Sequence, residues 1–115
     1  MCKLFIGAGV HLWLSRTHSL RIDGVATSLR MEEFFWSVLG RIASRDKLSL
    51  NQLITKLYHE SLDADHDVGN FTSFLRVCCG RYLDLMARGE IATDESSPLS
   101  EVDADSILGR ESARA

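Results

Sequence analysis

Residues 27–36 read Thr-Ser-Leu-Arg-Met-Glu-Glu-Phe-Phe-Trp, and within this stretch the hydrophobic pattern changes from that of a strand to that of a helix. In the first five residues a period of two places successive side chains on opposite faces of a strand. The apolar face carries Thr27, Leu29 and Met31. The polar face carries Ala26, Ser28 and Arg30. The sequence therefore predicts a short strand that buries one face and exposes the other.

Three helices are predicted after the strand. Glu32 and Glu33 lie in the first turn of a helix that ends near Arg45, where the helix dipole favours acidic side chains. Ser49 and Gln52 have the spacing of a capping box and begin a second helix. A third helix runs from about residue 70 to about residue 88. The predicted shared core consists of Phe35, Leu39, Ile42, Leu53, Ile54 and Leu57.

The strand needs a partner, and the sequence offers two. A single strand leaves both edges unpaired, so pairing with the same strand of a second copy would complete a ribbon and bring four helices together. Asp23-Gly24 is a strong turn signal and would instead close a hairpin between residues 20–22 and 25–28 of one chain. Both arrangements remain open from the sequence, and the first predicts an obligate homodimer.

Charge is distributed unevenly along the 115 residues, although the net charge is only -3. Residues 1–30 carry four basic and one acidic side chain, whereas residues 91–115 carry two basic and six acidic ones. A basic front and an acidic tail often accompany nucleic-acid binding. We expect an N-terminal extension over 1–18, a folded domain over 19–88, and an acidic, disordered tail over 89–115.

No metal or cofactor site is indicated by the sequence. Cys2, Cys78 and Cys79 lack metal-ligand spacing, and their small number favours a reducing cytoplasm. The aspartates of residues 63–67 imitate the start of a calcium loop, but Val68 stands where the loop needs glycine and Phe74 where it needs glutamate. The apolar stretch 4–14 is too short to span a membrane, and its glycines argue against a signal peptide.

The strand and the two helices after it resemble the ribbon-helix-helix fold of Arc-type and Met-repressor-type proteins. They are similar, more closely, to a bacterial stand-alone subfamily of short proteins, and the resemblance extends over residues 1 to about 88. The residues that carry it are 27–36, Leu39, Ile42-Ala43, Leu50-Asn-Gln-Leu53, the segment Asn70-Phe-Thr-Ser-Phe-Leu-Arg76 and the opening Met1-Cys-Lys-Leu-Phe5.

This resemblance implies a mainly helical, intertwined dimer with a short β ribbon and an extra C-terminal helix. It also implies a transcriptional regulator that inserts the ribbon into the major groove of double-stranded DNA, where side chains reach base edges. The residues expected to contact bases are Ser28, Arg30 and Ala26. The residues expected to contact phosphates are Lys47, Ser49, Leu50 and Arg21.

Two other functions are considered. The same dimer could serve as a protein-interaction module or antitoxin-like partner. This function would be favoured if the third helix or the N-terminal segment covered the face expected to carry Arg30, Ser28 and Lys47. Removal of Met1 would expose Cys2 as an N-terminal nucleophile, but the sequence offers no convergent acid–base set, so an enzyme is not expected.

Overall fold

The computed structural model describes residues 2–64 and 70–114. Its two strands are β1 (Ser15–Ile22) and β2 (Val25–Glu32). Its five helices are α1 (Cys2–Ile6), α2 (Glu33–Arg45), α3 (Leu50–Asp63), α4 (Phe71–Ala87) and α5 (Ala104–Arg114), and 3-10 turns form at Val10–Leu12 and Leu99–Glu101. Among the described residues no helix combines the length and hydropathy needed to cross a bilayer.

The strands form an antiparallel hairpin within one chain. Asp23 and Gly24 have φ angles of +52° and +81°, which gives the two-residue turn that suits the twist of a hairpin. The register runs from Ser15 opposite Glu32 to Ile22 opposite Val25. Of the two arrangements that the sequence leaves open, the chain therefore adopts the hairpin closed by Asp23-Gly24, and β1 supplies the partner of β2. β1 also includes residues 15–18, which the sequence predicts to be part of an N-terminal extension.

The helices pack against one face of the hairpin. His18 Nε2 lies 3.1 Å from Asn51 Oδ1, and His59 Nε2 lies 2.9 Å from Asp23 Oδ2, so α3 extends along β1. On the other strand, Arg76 of α4 pairs with Glu32 at 3.1 Å. Of the predicted core residues, Leu39, Leu53 and Ile54 are buried. Phe35, Ile42 and Leu57 are partly buried against the same core.

Residues 91–114 are folded, and the prediction of a disordered acidic tail is wrong. Ile91 and Ile107 are buried, and Ala104–Arg114 is helical. The segment is acidic but is not left in water, because arginines of the helices bind its carboxylates. Glu95 binds Arg41 through both oxygens at 2.8–3.1 Å, and Glu111 binds Arg81 and Arg88. Composition alone misses these distant partners.

The ion pairs of Glu111 make the attachment of α5 dependent on pH. Hydrogen bonds from Arg81 and then Arg88 lower the pKa of Glu111 from 4.5 to about 2. A carboxyl with a lowered pKa stabilises the fold above its unfolded pKa, and the stabilisation disappears as the pH falls through the folded pKa. We therefore expect α5 to loosen between about pH 4.5 and pH 2.

Thermal unfolding of Glu111→Gln across this range tests the expectation. The variant should be less stable than wild type at neutral pH. The difference should shrink as the pH falls from about 4.5 to 2, because the carboxyl becomes protonated and, like the amide, uncharged. Asp105→Asn on the same helix is the control, because Asp105 has no ion pair among the described residues. A difference between Glu111→Gln and wild type that stays constant with pH would contradict this role.

Candidate nucleic-acid interface

The outer face of the hairpin is polar and exposed. Alternation along β1 and β2 places four cross-strand pairs there, of which Ser15 with Glu32 is the last, and Glu32 is only partly exposed and pairs with Arg76 of α4. The other three pairs are Arg21 with Ala26, Ser19 with Ser28, and Thr17 with Arg30. All six side chains belong to exposed residues. The structure therefore brings Ala26, Ser28, Arg30 and Arg21 together on one face, and no described segment covers them. We call these six residues the ribbon face.

Arg30 is the most available charged group on the ribbon face. Its side chain has no hydrogen bond or ion pair among the described residues, whereas Arg21 Nη1 donates to Gly24 O at 3.1 Å. A nearby carboxylate that could neutralise Arg30 is that of Glu33. Glu33 is instead occupied by Arg16, at 2.8 Å. A free guanidinium on an exposed strand can make a bidentate contact with guanine or with a phosphate.

Hydroxyls surround the two arginines. Ser19 and Ser28 lie side by side with their oxygens 3.4 Å apart, and Thr17 lies opposite Arg30. A hydroxyl donates and accepts, so it can serve several base edges or phosphate oxygens. Sequence reasoning missed Thr17 and Ser19. The signal was the alternation Ser15, Thr17, Ser19, Arg21, which has the same period of two as the second strand.

The beginning of α3 is the second predicted contact. Its capping box is complete: Gln52 N donates to Ser49 Oγ at 3.1 Å, and Ser49 N donates to Gln52 Oε1 at 2.8 Å. The N–H of Ser49 is thus already used, and that of Leu50 has no acceptor within the described residues. Lys47, at φ +57°, is exposed and has no ion pair with any residue that the structure describes. Lys47 and Leu50 therefore remain available to an anion.

Trp36 holds β1 in place on the side of the hairpin opposite the ribbon face. Its Nε1 donates to Arg16 O at 2.9 Å, its ring lies 5.2 Å from that of His18, and the Arg16 guanidinium lies 5.9 Å from its centroid. Arg16 does not add its charge to the ribbon face, because its side chain contacts Trp36 and Glu33. The ribbon face therefore rests on a well-packed support.

The outer edge of β2 is open. Glu33 N donates to Leu14 O at 2.7 Å, so Glu33 and Leu14 form a hydrogen-bonded pair. In an antiparallel hairpin every second pair is hydrogen-bonded, and the next such pair is Met31 with Arg16. The intervening residues Ala26, Ser28 and Arg30 direct their backbone N–H and C=O groups away from β1. These groups have no backbone partner among the described residues. Such an edge can pair with another strand.

The cysteines do not resemble a catalytic centre. Burial raises the pKa of Cys78 to about 11 and that of Cys79 to about 12, so both thiols stay protonated at neutral pH. Cys2 is exposed. Within residues 2–64 and 70–114 no three His, Cys, Asp or Glu side chains are grouped to hold a metal ion. Residues 65–69, the middle part of the segment that imitates a calcium loop, lie outside the described residues.

Comparisons with known proteins agree with this geometry. A family model described as a ribbon-helix-helix domain matches residues 15–83, from the start of β1 into α4. The structure is similar to that of an uncharacterized protein from Bordetella pertussis Tohama I, with 46% sequence identity and a TM-score of 0.89. The match covers 94% of this chain and 86% of the other. No curated protein matches the sequence significantly.

Proposed function

Because this chain belongs to the ribbon-helix-helix family, we propose that it binds double-stranded DNA in a sequence-specific manner and acts as a transcriptional regulator. The observation that carries the proposal is the exposed ribbon face, on which Arg30 is free and Ser28 and Ala26 lie beside it. A two-stranded ribbon is narrow enough for the major groove. Lys47 and the N–H of Leu50 are proposed to contact the phosphate backbone. We assign the protein to the cytoplasm, consistent with its unpaired cysteines.

We further propose that the protein acts as a homodimer through the open edge of β2. A groove of about 390 Å³ lies beside this strand, and Val25, which lines it, is 66% exposed. Along β1, in contrast, α3 contributes the contacts of Asn51 and His59. A second strand on β2 would cover Val25 and would place two ribbon faces side by side. Two copies of Arg30 would compensate for the few basic side chains in each chain.

The edge of β2 restricts the register of such a dimer. In a symmetric antiparallel pair, residues whose backbone groups point to the open edge must pair with one another. In β2 these residues have even numbers, so the two numbers of each pair add up to an even sum. The registers with most overlap have Ser28 opposite the partner's Arg30 (sum 58) or opposite the partner's Ser28 (sum 56). The second register brings Gly24 of the turn, at φ +81°, opposite Glu32. We propose the first, because Ala26, Ser28, Arg30 and Glu32, the residues of β2 whose backbone groups point to the open edge, then all pair with one another.

Engineered disulfides test the dimer and its register. Hydrogen-bonded antiparallel partners have Cα atoms about 5.5 Å apart, which a disulfide can bridge. In a Cys2→Ser background, a mixture of Ser28→Cys and Arg30→Cys chains should form the mixed disulfide faster than either chain alone forms its own. Faster self-linking of Ser28→Cys would support the other register. A monomeric mass at micromolar concentration without cross-linking would refute the dimer.

DNA binding is tested with two variants that separate base reading from anchoring. On a sequence selected from random DNA, Arg30→Ala should lose about 1–3 kcal/mol and lose discrimination at one position. Lys47→Ala should weaken binding to all sequences alike and should lower the slope of log K against log salt by about one unit. Lys56→Ala, which removes an exposed lysine from the middle of α3, is the control for net charge.

If Arg30→Ala and Lys47→Ala bind the selected sequence as tightly as wild type does while remaining folded, the ribbon face does not bind DNA. The second candidate function, a protein-interaction module, would then be preferred. One observation favours that candidate: the N-terminal residues Leu4, Phe5, Ile6, Val10, Trp13 and Leu14 are 59–80% exposed. We call residues 2–14 the N-terminal arm. Exposed apolar clusters of this kind often bind other proteins.

A further inference from the structure

A cavity of about 460 Å³ lies between α4 and the C-terminal segment, and none of its lining residues belongs to the proposed DNA interface. Its volume is within the usual range for small-molecule sites. The inner wall includes the buried Tyr82, Ile91 and Ile107. Val77 and Leu108, which are 66% and 51% exposed, mark its mouth. Ile42 of α2 and Leu57 of α3 reach it from the main core.

Ion pairs brace the cavity against collapse. Glu111 of α5 binds Arg81 of α4 at 2.5 and 2.7 Å and Arg88 at 2.8 Å, and Arg110 pairs with Glu90. These contacts fix α5 against the C-terminal half of α4. The cavity therefore lies beside an attachment between α5 and α4 that is made by ion pairs.

The lining determines the chemistry of a ligand. Among the described residues Arg81 is the only charged one that lines the cavity, and both of its terminal nitrogens are bound by Glu111. The hydroxyl of Tyr82 donates to Glu95. Burial raises the pKa of the Cys78 thiol to about 11, so Cys78 presents a neutral side chain. A charged ligand would find no free counter-charge in this lining, and a polypeptide would leave its backbone groups without partners.

We propose that this cavity binds an uncharged, mainly apolar small molecule. The site does not depend on DNA binding, because none of its residues belongs to the ribbon face or to the start of α3. Occupancy would extend the apolar core that joins α2, α3 and α4 to the C-terminal segment. The ligand would therefore stabilise the attachment of α5.

The uncharged fluorophore N-phenyl-1-naphthylamine is a suitable probe, used with the full-length protein. We expect saturable binding of one probe per chain. Val77→Asp places a carboxylate at the mouth and should weaken binding at least ~10-fold, since an apolar probe must then displace water from a charged group. Folding should tolerate this change, because Val77 is 66% exposed. Val10→Asp is the matched control, since Val10 is 74% exposed but lies in the N-terminal arm.

The native cysteines provide a second measurement that does not rely on a variant. Cys78 lines the cavity, Cys2 is exposed elsewhere, and Cys79 is buried. Bound probe should slow the alkylation of Cys78 by N-ethylmaleimide, as followed by peptide mass spectrometry, and should leave that of Cys2 unchanged.

Three outcomes would overturn the proposal. The first is binding that fails to saturate. The second is binding that Val10→Asp weakens and that does not protect Cys78, which would place the probe on the N-terminal arm. The third is saturable binding to the Val10→Asp variant but not to the wild type, which would show that the arm of a second copy fills the cavity.

Discussion

Replacement of Arg45 by alanine should destabilise the protein by about 2–4 kcal/mol and release the C-terminal segment. Arg45 is only 3% exposed, and its guanidinium donates to Ser97 O and Ser97 Oγ at 2.8 Å and to Ala92 O at 3.0 Å. The same group lies 5.8 Å from the centre of the Tyr82 ring. Alanine would leave these acceptors without a donor in a site that excludes most water.

Arg41→Ala is the control for this prediction. Arg41 lies one turn earlier on the same helix and also binds the C-terminal segment, but its side chain is 42% exposed. Its ion pair with Glu95 should therefore contribute no more than about 1 kcal/mol. Urea denaturation gives both free energies, and limited proteolysis reports whether residues 91–114 become accessible. Equal losses for the two variants would mean that burial of Arg45 does not determine its contribution.

Leu39→Ala should cost about 2–5 kcal/mol of unfolding free energy, because the side chain is 0% exposed and its removal leaves a cavity in the core. Leu39 lies on the face of α2 that also carries Phe35 and Ile42. Leu62→Ala on α3 is the matched control, since Leu62 is 46% exposed and should lose much less.

A loss below about half a kcal/mol for Leu39→Ala would mean that α2 buries a different face. If the protein is a dimer as proposed, the same loss should depend on protein concentration, because folding and association are then linked. Denaturation at two concentrations separates the two contributions.

Local sequence patterns were sufficient to predict the elements near the middle of the chain. The change from a period of two to the helical spacing of Phe35, Leu39 and Ile42 places the end of the strand and the beginning of α2 within one residue, since Glu32 ends β2 and caps α2 instead of lying in its first turn. Ser49 and Gln52 form the capping box that their spacing predicts. These features depend on neighbouring residues only, so short-range physical chemistry determines them. The exposed face of Ser28 and Arg30 follows from the same alternation.

Tertiary contacts, in contrast, determine which strand pairs with β2 and how the C-terminal segment folds. Asp23-Gly24 is compatible with a hairpin, but the sequence was equally compatible with an exposed strand that pairs with a second copy. In the folded chain α3 packs along this hairpin, through His18 with Asn51 and Asp23 with His59, contacts between residues 33 to 36 positions apart. The acidic segment is ordered because arginines 30 to 54 residues away in the chain bind it. Such long-range neutralisation of charge leaves no periodic signal in a sequence, because it becomes visible only when distant side chains are brought together.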